Sequence, residues 1–123
     1  MKIRESAQDY LEAILILQKK NGTVKSIEVA NYMNVTKQSV HRAIKNLKEE
    51  DYILVDEKGN ISFCEKGKVI AEKVYEKHQV LSKFFMSLDV PEDIAYSDAC
   101  KIEHDISEES FYAIKKIVEN FDK

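Results

Sequence analysis

The chain has 123 residues, 44% of them apolar and 33% charged, with three Gly, one Pro and two Cys. That is enough for one core, or one core plus a small helical appendage. It excludes collagen-like, low-complexity and disulfide-framework folds. The net charge of −3 at first argues against a nucleic-acid partner, but it hides an asymmetry: residues 1–64 carry 10 Lys/Arg against 9 Asp/Glu, and residues 65–123 carry 9 against 13. A near-neutral first half followed by an acidic second half suggests two jobs. The sequence contains no apolar run of membrane-spanning length, and its charged opening, Met1 to Tyr10, does not look like a signal peptide. Reduced cysteines and a cytoplasmic location are therefore expected.

The first element reads as a helix. Ser6 to Asp9 fits a capping box, Tyr10, Leu11, Ile14, Leu15 and Leu17 follow at helical spacing, and Asn21-Gly22 ends it. A short helix is predicted from Ile27 to Tyr32, with Ile27, Ala30 and Val29 as its inward-facing candidates. After the turn Met33-Asn34-Val35, Thr36 caps a helix to about Glu50, with Val40, Ala43, Ile44 and Leu47 as its apolar stripe.

The period then becomes strand-like. Tyr52 to Val55 and Ile61 to Phe63, joined by the polar stretch Asp56 to Asn60, predict a β-hairpin. After Glu65-Lys66-Gly67 a long helix runs to about Leu88, where Asp89-Val90-Pro91 breaks it. Pro91 is placed at the first position of the next helix, which runs to about His104. Ser107 caps a last helix carrying Phe111, Ile114, Ile117, Val118 and Phe121. The predicted fold is mainly α: a winged helix-turn-helix domain over residues 1–64, then an all-helical domain over residues 65–123.

The segment Thr36 to Lys48 holds four basic residues and no acidic one. Its apolar stripe faces the core, which leaves Lys37, Gln38, His41, Arg42 and Lys45 on the other side. A recognition helix needs donors there for base edges and cations for phosphate. Thr36 and Ser39 could present a phosphate to the helix N-terminus, and Lys58 at the hairpin tip could touch another. A charge run alone is usually a solvated face. The preceding short helix and the following hairpin favour duplex DNA.

Cys100, Glu103 and His104 stand at i, i+3 and i+4 and would share one helix face, a quarter-turn from the stripe Ala95, Ala99, Ile102 and Ile106. Thiolate, carboxylate and imidazole together suit Fe²⁺, Zn²⁺, Co²⁺ or Ni²⁺. His78 on the long helix, and Asp9 and Glu12 one turn apart on the first, are further candidates. Taken singly, each has a bland reading: a satisfied core histidine, a capping-box carboxylate, an exposed helix carboxylate. Together they make six candidate ligands on three helices.

With these residues the chain resembles the metal-dependent repressor family that includes the diphtheria toxin repressor and the manganese transport regulator. The resemblance covers essentially all of the sequence. It rests on Asp9-Tyr10-Leu11-Glu12, the helix-turn-helix and wing, Glu65 to Lys68, Tyr75 to His78, and Ala99 to His104. It implies an N-terminal domain that binds operator DNA, later helices that form a homodimer, and a divalent metal that switches DNA affinity. Asp9, Glu12, His78, Glu103 and His104 match ligand positions of manganese-type members. Cys100 departs from them, because those members have a Glu that can bridge two ions. Iron-type members have Cys there but Met in place of Asp9. His78 also matches a ligand of their second site, where Ser82 and Tyr96 replace two others. The pocket is thus a hybrid: the resemblance implies Fe²⁺ or Mn²⁺, with Zn²⁺ or Co²⁺ next, and the thiolate tilts the expectation toward Fe²⁺. Thr36, Gln38, Ser39 and Arg42 fall where family members contact DNA. The SH3-like domain of longer members is not expected.

The implied function is a metal-dependent transcriptional regulator, a repressor by family, in which a cation relieves repulsion among Asp9, Glu12 and Glu103. The alternative is a winged-helix regulator that responds to a small ligand or to oxidation of Cys100. A metalloenzyme is disfavoured, because no His-Glu-x-x-His pattern, phosphate loop or nucleophile triad is present and a basic recognition helix would have no role in it. No organic substrate is expected. The apolar residues of the last helix, with Leu81, Phe84, Phe85 and Leu88, exceed what so small a domain readily buries alone and point to a homodimer.

Overall fold

The computed structural model describes residues 5–122, so the sequence readings at Met1 to Arg4 and Lys123 lie outside the described residues. Six helices and one hairpin follow in order: α1 Glu5–Asn21, α2 Ser26–Met33, α3 Lys37–Glu49, β1 Ile53–Val55, β2 Ile61–Phe63, α4 Glu65–Ser87, α5 Glu92–Ile102 and α6 Glu108–Glu119. A single 3-10 turn, Asn120–Asp122, ends the described chain. The chain divides into two compact units, residues 1–72 and 73–123, and the division falls inside α4.

In the first unit α1, α2 and α3 pack on one another, and β1 lies against α3. Leu11, Ile14, Val24, Val29, Val40, Leu47 and Ile53 are each almost completely buried. Burying such side chains contributes roughly 1.5–3 kcal/mol apiece. Gly22 (φ +83) ends α1, its N–H donating to the Gln18 carbonyl, and Asn34 (φ 57) ends α2 in the same left-handed conformation. Glu28 Oε1 accepts the Lys25 N–H at 3.0 Å, so α2 is capped from its third position. Thr36 Oγ1 accepts the Ser39 N–H at 3.1 Å and caps α3 as expected.

The hairpin is antiparallel, pairing Ile53 with Phe63 and Val55 with Ile61. The Ile61 N–H also donates to the Val24 carbonyl at 2.8 Å, which ties the hairpin to the α1–α2 connection. At the base of the hairpin the Tyr52 carbonyl accepts the Cys64 N–H at 3.1 Å, and the Lys66 ammonium sits 4.2 Å from the centre of the Tyr52 ring.

In the second unit the C-terminal part of α4 meets α6 through Lys77–Glu108 at 3.2 Å and Lys115–Glu76 at 3.3 Å. Ala71 and Val74 lie at the division, and Leu81, Ala95, Ala99, Phe111 and Val118 are buried beyond it. Asp89 (φ 66) stops α4 with its N–H on the Met86 carbonyl. Ser107 Oγ accepts the Ser110 N–H at 3.1 Å and caps α6.

Several sequence expectations need correction. Ser6 lies inside α1 and so is not its cap. Ile27, expected to face inward, is 44% exposed, while Ala30 and Val29 are buried as expected. Pro91 is the residue before α5, not its first helical position. The helix expected to reach His104 ends at Ile102. Of the apolar residues assigned to the last helix, Phe111 and Val118 are buried and Ile117 and Phe121 are about half exposed, and Phe121 falls in the terminal 3-10 turn.

Candidate DNA-binding surface and metal centre

Helix α3 turns Val40, Ile44 and Leu47 inward, and its 3.6-residue period places the polar residues on the opposite side. Lys37, Gln38, Ser39, His41, Arg42 and Lys45 are all exposed, as is Thr36 just before the helix. The exposed set carries no carboxylate. The two hydroxyls at the start of α3 are engaged locally: Thr36 Oγ1 donates to Ser39 Oγ at 2.9 Å while accepting the Ser39 N–H. Beside this face a surface cavity of about 260 Å³ opens between α2 and α3, lined by Ser26, Ile27, Ala30, Lys37, Val40 and His41.

Lys58 is exposed at the hairpin tip. The tip itself is organised by Asp56, a residue that sequence reasoning missed. Asp56 Oδ1 accepts the N–H groups of Lys58 at 2.8 Å and Asn60 at 2.9 Å, and Oδ2 accepts the Asn60 side-chain amide at 3.1 Å. These bonds, the Asn60 backbone bond foremost, hold the Asp56 carboxyl below the ordinary aspartate range. The signal was present in the sequence: an Asp two residues before one donor and four before another, with a Gly between, is a side-chain-stabilised turn.

The second unit assembles three of the predicted ligands. The turn after α5 carries Glu103 and His104, both buried, and Glu103 keeps a helical N–H bond to the Ala99 carbonyl at 2.9 Å. His78, on α4, places Nδ1 3.0 Å from Glu103 Oε2. His104 Nε2 lies 3.6 Å from Glu103 Oε1. The Tyr96 ring stands 5.5 Å from the His78 imidazole, tilted by 35°. Cys100, one turn before Glu103 on α5, is exposed.

Asp9 and Glu12 sit one turn apart on α1 in the first unit, Asp9 half-buried and Glu12 buried.

Glu103 is only 1% exposed, and its Oε1 accepts no hydrogen bond. A buried carboxylate oxygen without a donor is costly, and such atoms in native proteins have a cause, a bound ion being one. Two imidazoles flanking a carboxylate are a donor set that Mn²⁺, Fe²⁺, Co²⁺ and Zn²⁺ all accept. The residues present therefore fit a divalent transition metal.

A cationic helix beside a pinned wing, with a histidine–carboxylate cluster further along the same chain, describes a transcriptional regulator that answers to metal. Comparison with known proteins agrees. Residues 2–61 match the iron dependent repressor N-terminal DNA binding domain, and residues 64–123 match the iron dependent repressor metal binding and dimerisation domain. The chain belongs to the iron-dependent repressor family.

It is 32% identical over 119 residues, 95% of each chain, to an uncharacterized HTH-type transcriptional regulator of Methanocaldococcus jannaschii. Among solved structures it is similar to the manganese regulator SloR, with 26% identity and a TM-score of 0.80 over 97% of this chain and 55% of that one. It shares the fold of T. acidophilum IdeR, with 24% identity and a TM-score of 0.79 over all of this chain and 56% of that one. The chain thus spans little more than half the length of these solved relatives. Among the described residues no helix is long and apolar enough to cross a membrane.

Proposed function

We propose that this chain is a cytoplasmic repressor of metal-homeostasis genes that binds operator DNA as a homodimer when Fe²⁺ or Mn²⁺ is bound. Residues 1–64 form its DNA-binding part, and residues 65–123 its metal-binding and dimerisation part. It carries out no catalysis. The observation that carries this reading is the buried Glu103 carboxylate held between His78 and His104.

The proposed ligand set is Asp9, Glu12, His78, Cys100, Glu103 and His104. His78, Glu103 and His104 enter it on geometry, while Asp9, Glu12 and Cys100 enter it on the resemblance of their sequence positions. The bound ion supplies positive charge that offsets several carboxylates. His78 and Glu103 orient one another through their shared hydrogen bond, and the buried His104 holds its ring against the second carboxylate oxygen.

On the DNA side, Gln38 and Arg42 read base edges. Lys37, His41, Lys45 and Lys58 meet phosphates, with Thr36 and Ser39 shaping the entry to α3. Two such surfaces in a dimer suit half-sites about 34–36 Å apart. The exposed Leu88, Ile94, Tyr112, Ile117 and Phe121 supply apolar area for the dimer contact.

Protein purified without oxygen should contain a divalent transition metal and bind a duplex selected from a random pool with Mn²⁺ or Fe²⁺ but not with chelator. Equal binding under both conditions refutes the switch. A monomer by light scattering with and without metal refutes the dimer. The exposure of Cys100 favours one second reading, in which oxidation of that thiol sets DNA affinity. A Cys100→Ser protein that binds metal normally but no longer changes its DNA affinity with peroxide would support that reading.

A further inference from the structure

The wing carries an acidic residue where a DNA-binding surface would be expected to avoid one. Asp56 is exposed and adjoins Glu57, yet its carboxylate is turned inward on its own loop. It receives the N–H groups of Lys58 and Asn60 and the Asn60 side-chain amide. The Asp56 and Asn60 backbones close the same loop, with the Asp56 N–H on the Asn60 carbonyl at 3.0 Å and the Gly59 N–H on the Asp56 carbonyl at 3.0 Å. Gly59 takes the left-handed conformation (φ +84) that this closure requires. The backbone is therefore held on Asp56 at Lys58 itself and at Asn60 two residues on, and Lys58 is exposed. A flexible tip would lose backbone freedom each time its lysine met a phosphate, and this loop has lost it already on folding.

We propose that Asp56 is a positioning residue for DNA binding: its carboxylate fixes the wing tip so that Lys58 presents its ammonium to a phosphate of the duplex backbone. This rests on the DNA-binding reading above. Asp56 makes no contact with DNA itself and acts through Lys58. Its carboxylate is occupied by three N–H donors of its own loop, so it is held on the loop while Lys58 stays exposed.

The test uses the full chain with saturating Mn²⁺ and the duplex that the wild-type protein selects from a random pool. Asp56→Ala should weaken binding roughly three- to tenfold. Lys58→Ala should weaken binding and lower the salt slope by about one for each wing engaged. In the Lys58→Ala background, adding Asp56→Ala should cost nothing further. Asp56→Asn, which keeps the accepting Oδ1, should bind at least half as tightly as wild type. Amide hydrogen exchange gives a readout independent of DNA: Lys58 and Asn60 should exchange slowly in wild type and Asp56→Asn and fast in Asp56→Ala. The proposal is overturned if Asp56→Ala binds as wild type does, if its loss persists without Lys58, if Asp56→Asn is as weak as Asp56→Ala, or if exchange is equal in all variants. A wild-type chain that binds no duplex refutes the regulator reading instead, and the exchange measurement separates the two failures.

Discussion

His78 Nδ1 stands 3.0 Å from Glu103 Oε2, joining α4 to the turn after α5. The partner carboxylate is buried, and its other oxygen faces His104 at 3.6 Å without a hydrogen bond. Glu103→Gln keeps the shape and an acceptor for His78 but removes the charge. Its affinity for Mn²⁺ should fall by more than about 100-fold, beyond the roughly 10–100-fold typical of an outer-sphere partner. Calorimetric titration measures this. In wild type, metal at about 100 times its dissociation constant should add about 2.7 kcal/mol of stability, and the variant should gain no more than about 0.4 kcal/mol at that concentration.

Cys100 tests how far the resemblance carries. As a ligand, its thiolate should give Co²⁺-loaded protein an intense near-ultraviolet charge-transfer band. Cys100→Ser should lose that band and keep the weaker visible bands of cobalt. A band unchanged by the substitution removes Cys100 from the ligand set.

Arg42 and Lys45 share the exposed face of α3, and the proposed function gives them different work. Arg42→Ala should cost about 1–3 kcal/mol on the selected duplex and relax preference at one base position. Lys45→Ala should weaken all duplexes alike and lower the salt slope by about one per site. Fluorescence anisotropy across a salt series, with single-base variants of the duplex, distinguishes the two.

Gly67 opens α4 against the Tyr52 carbonyl, and a Cβ there would collide with that backbone. Neither partner is the free end of a side chain, so one segment must shift. Gly67→Ala should destabilise the chain by roughly 1–3 kcal/mol in urea unfolding. Gly22, also in a tight turn, has open space around its Cβ position. Its φ of +83 still opposes a side chain, so Gly22→Ala should cost about 1 kcal/mol for a different reason, backbone strain.

Asp56 titrates below the ordinary aspartate value of about 3.9. The folded value is depressed, so its bonds stabilise the wing above the unfolded value and are lost as pH falls through the folded one. Amide protection at Lys58 and Asn60 should therefore be full from neutral pH to about pH 4 and weaken toward the Asp56→Asn level as pH falls further, through the lower folded value. A carboxyl-carbon NMR titration of Asp56 with its midpoint at or above about 3.9 would contradict this.

Much of the molecule was legible in the sequence because its signals are local. The 3.6-residue stripe of Val40, Ile44 and Leu47 determined which face of α3 meets the core, and that alone placed Lys37, Gln38, Arg42 and Lys45 in solvent. Thr36, Ser107 and Gly22 marked helix ends through short-range bonds that need no tertiary partner. The spacing of Cys100, Glu103 and His104 marked a donor cluster, but not that the helix would stop at Ile102 and bury two of the three.

What only the tertiary structure decided is which polar side chains lose water and whom they then face. His78 and Glu103 are 25 residues apart in the chain, and no periodicity links them. Their meeting depends on how α5 packs against α4. The same packing leaves one oxygen of the buried carboxylate without a donor, and that, more than the residue types, is the physical ground for expecting a cation there.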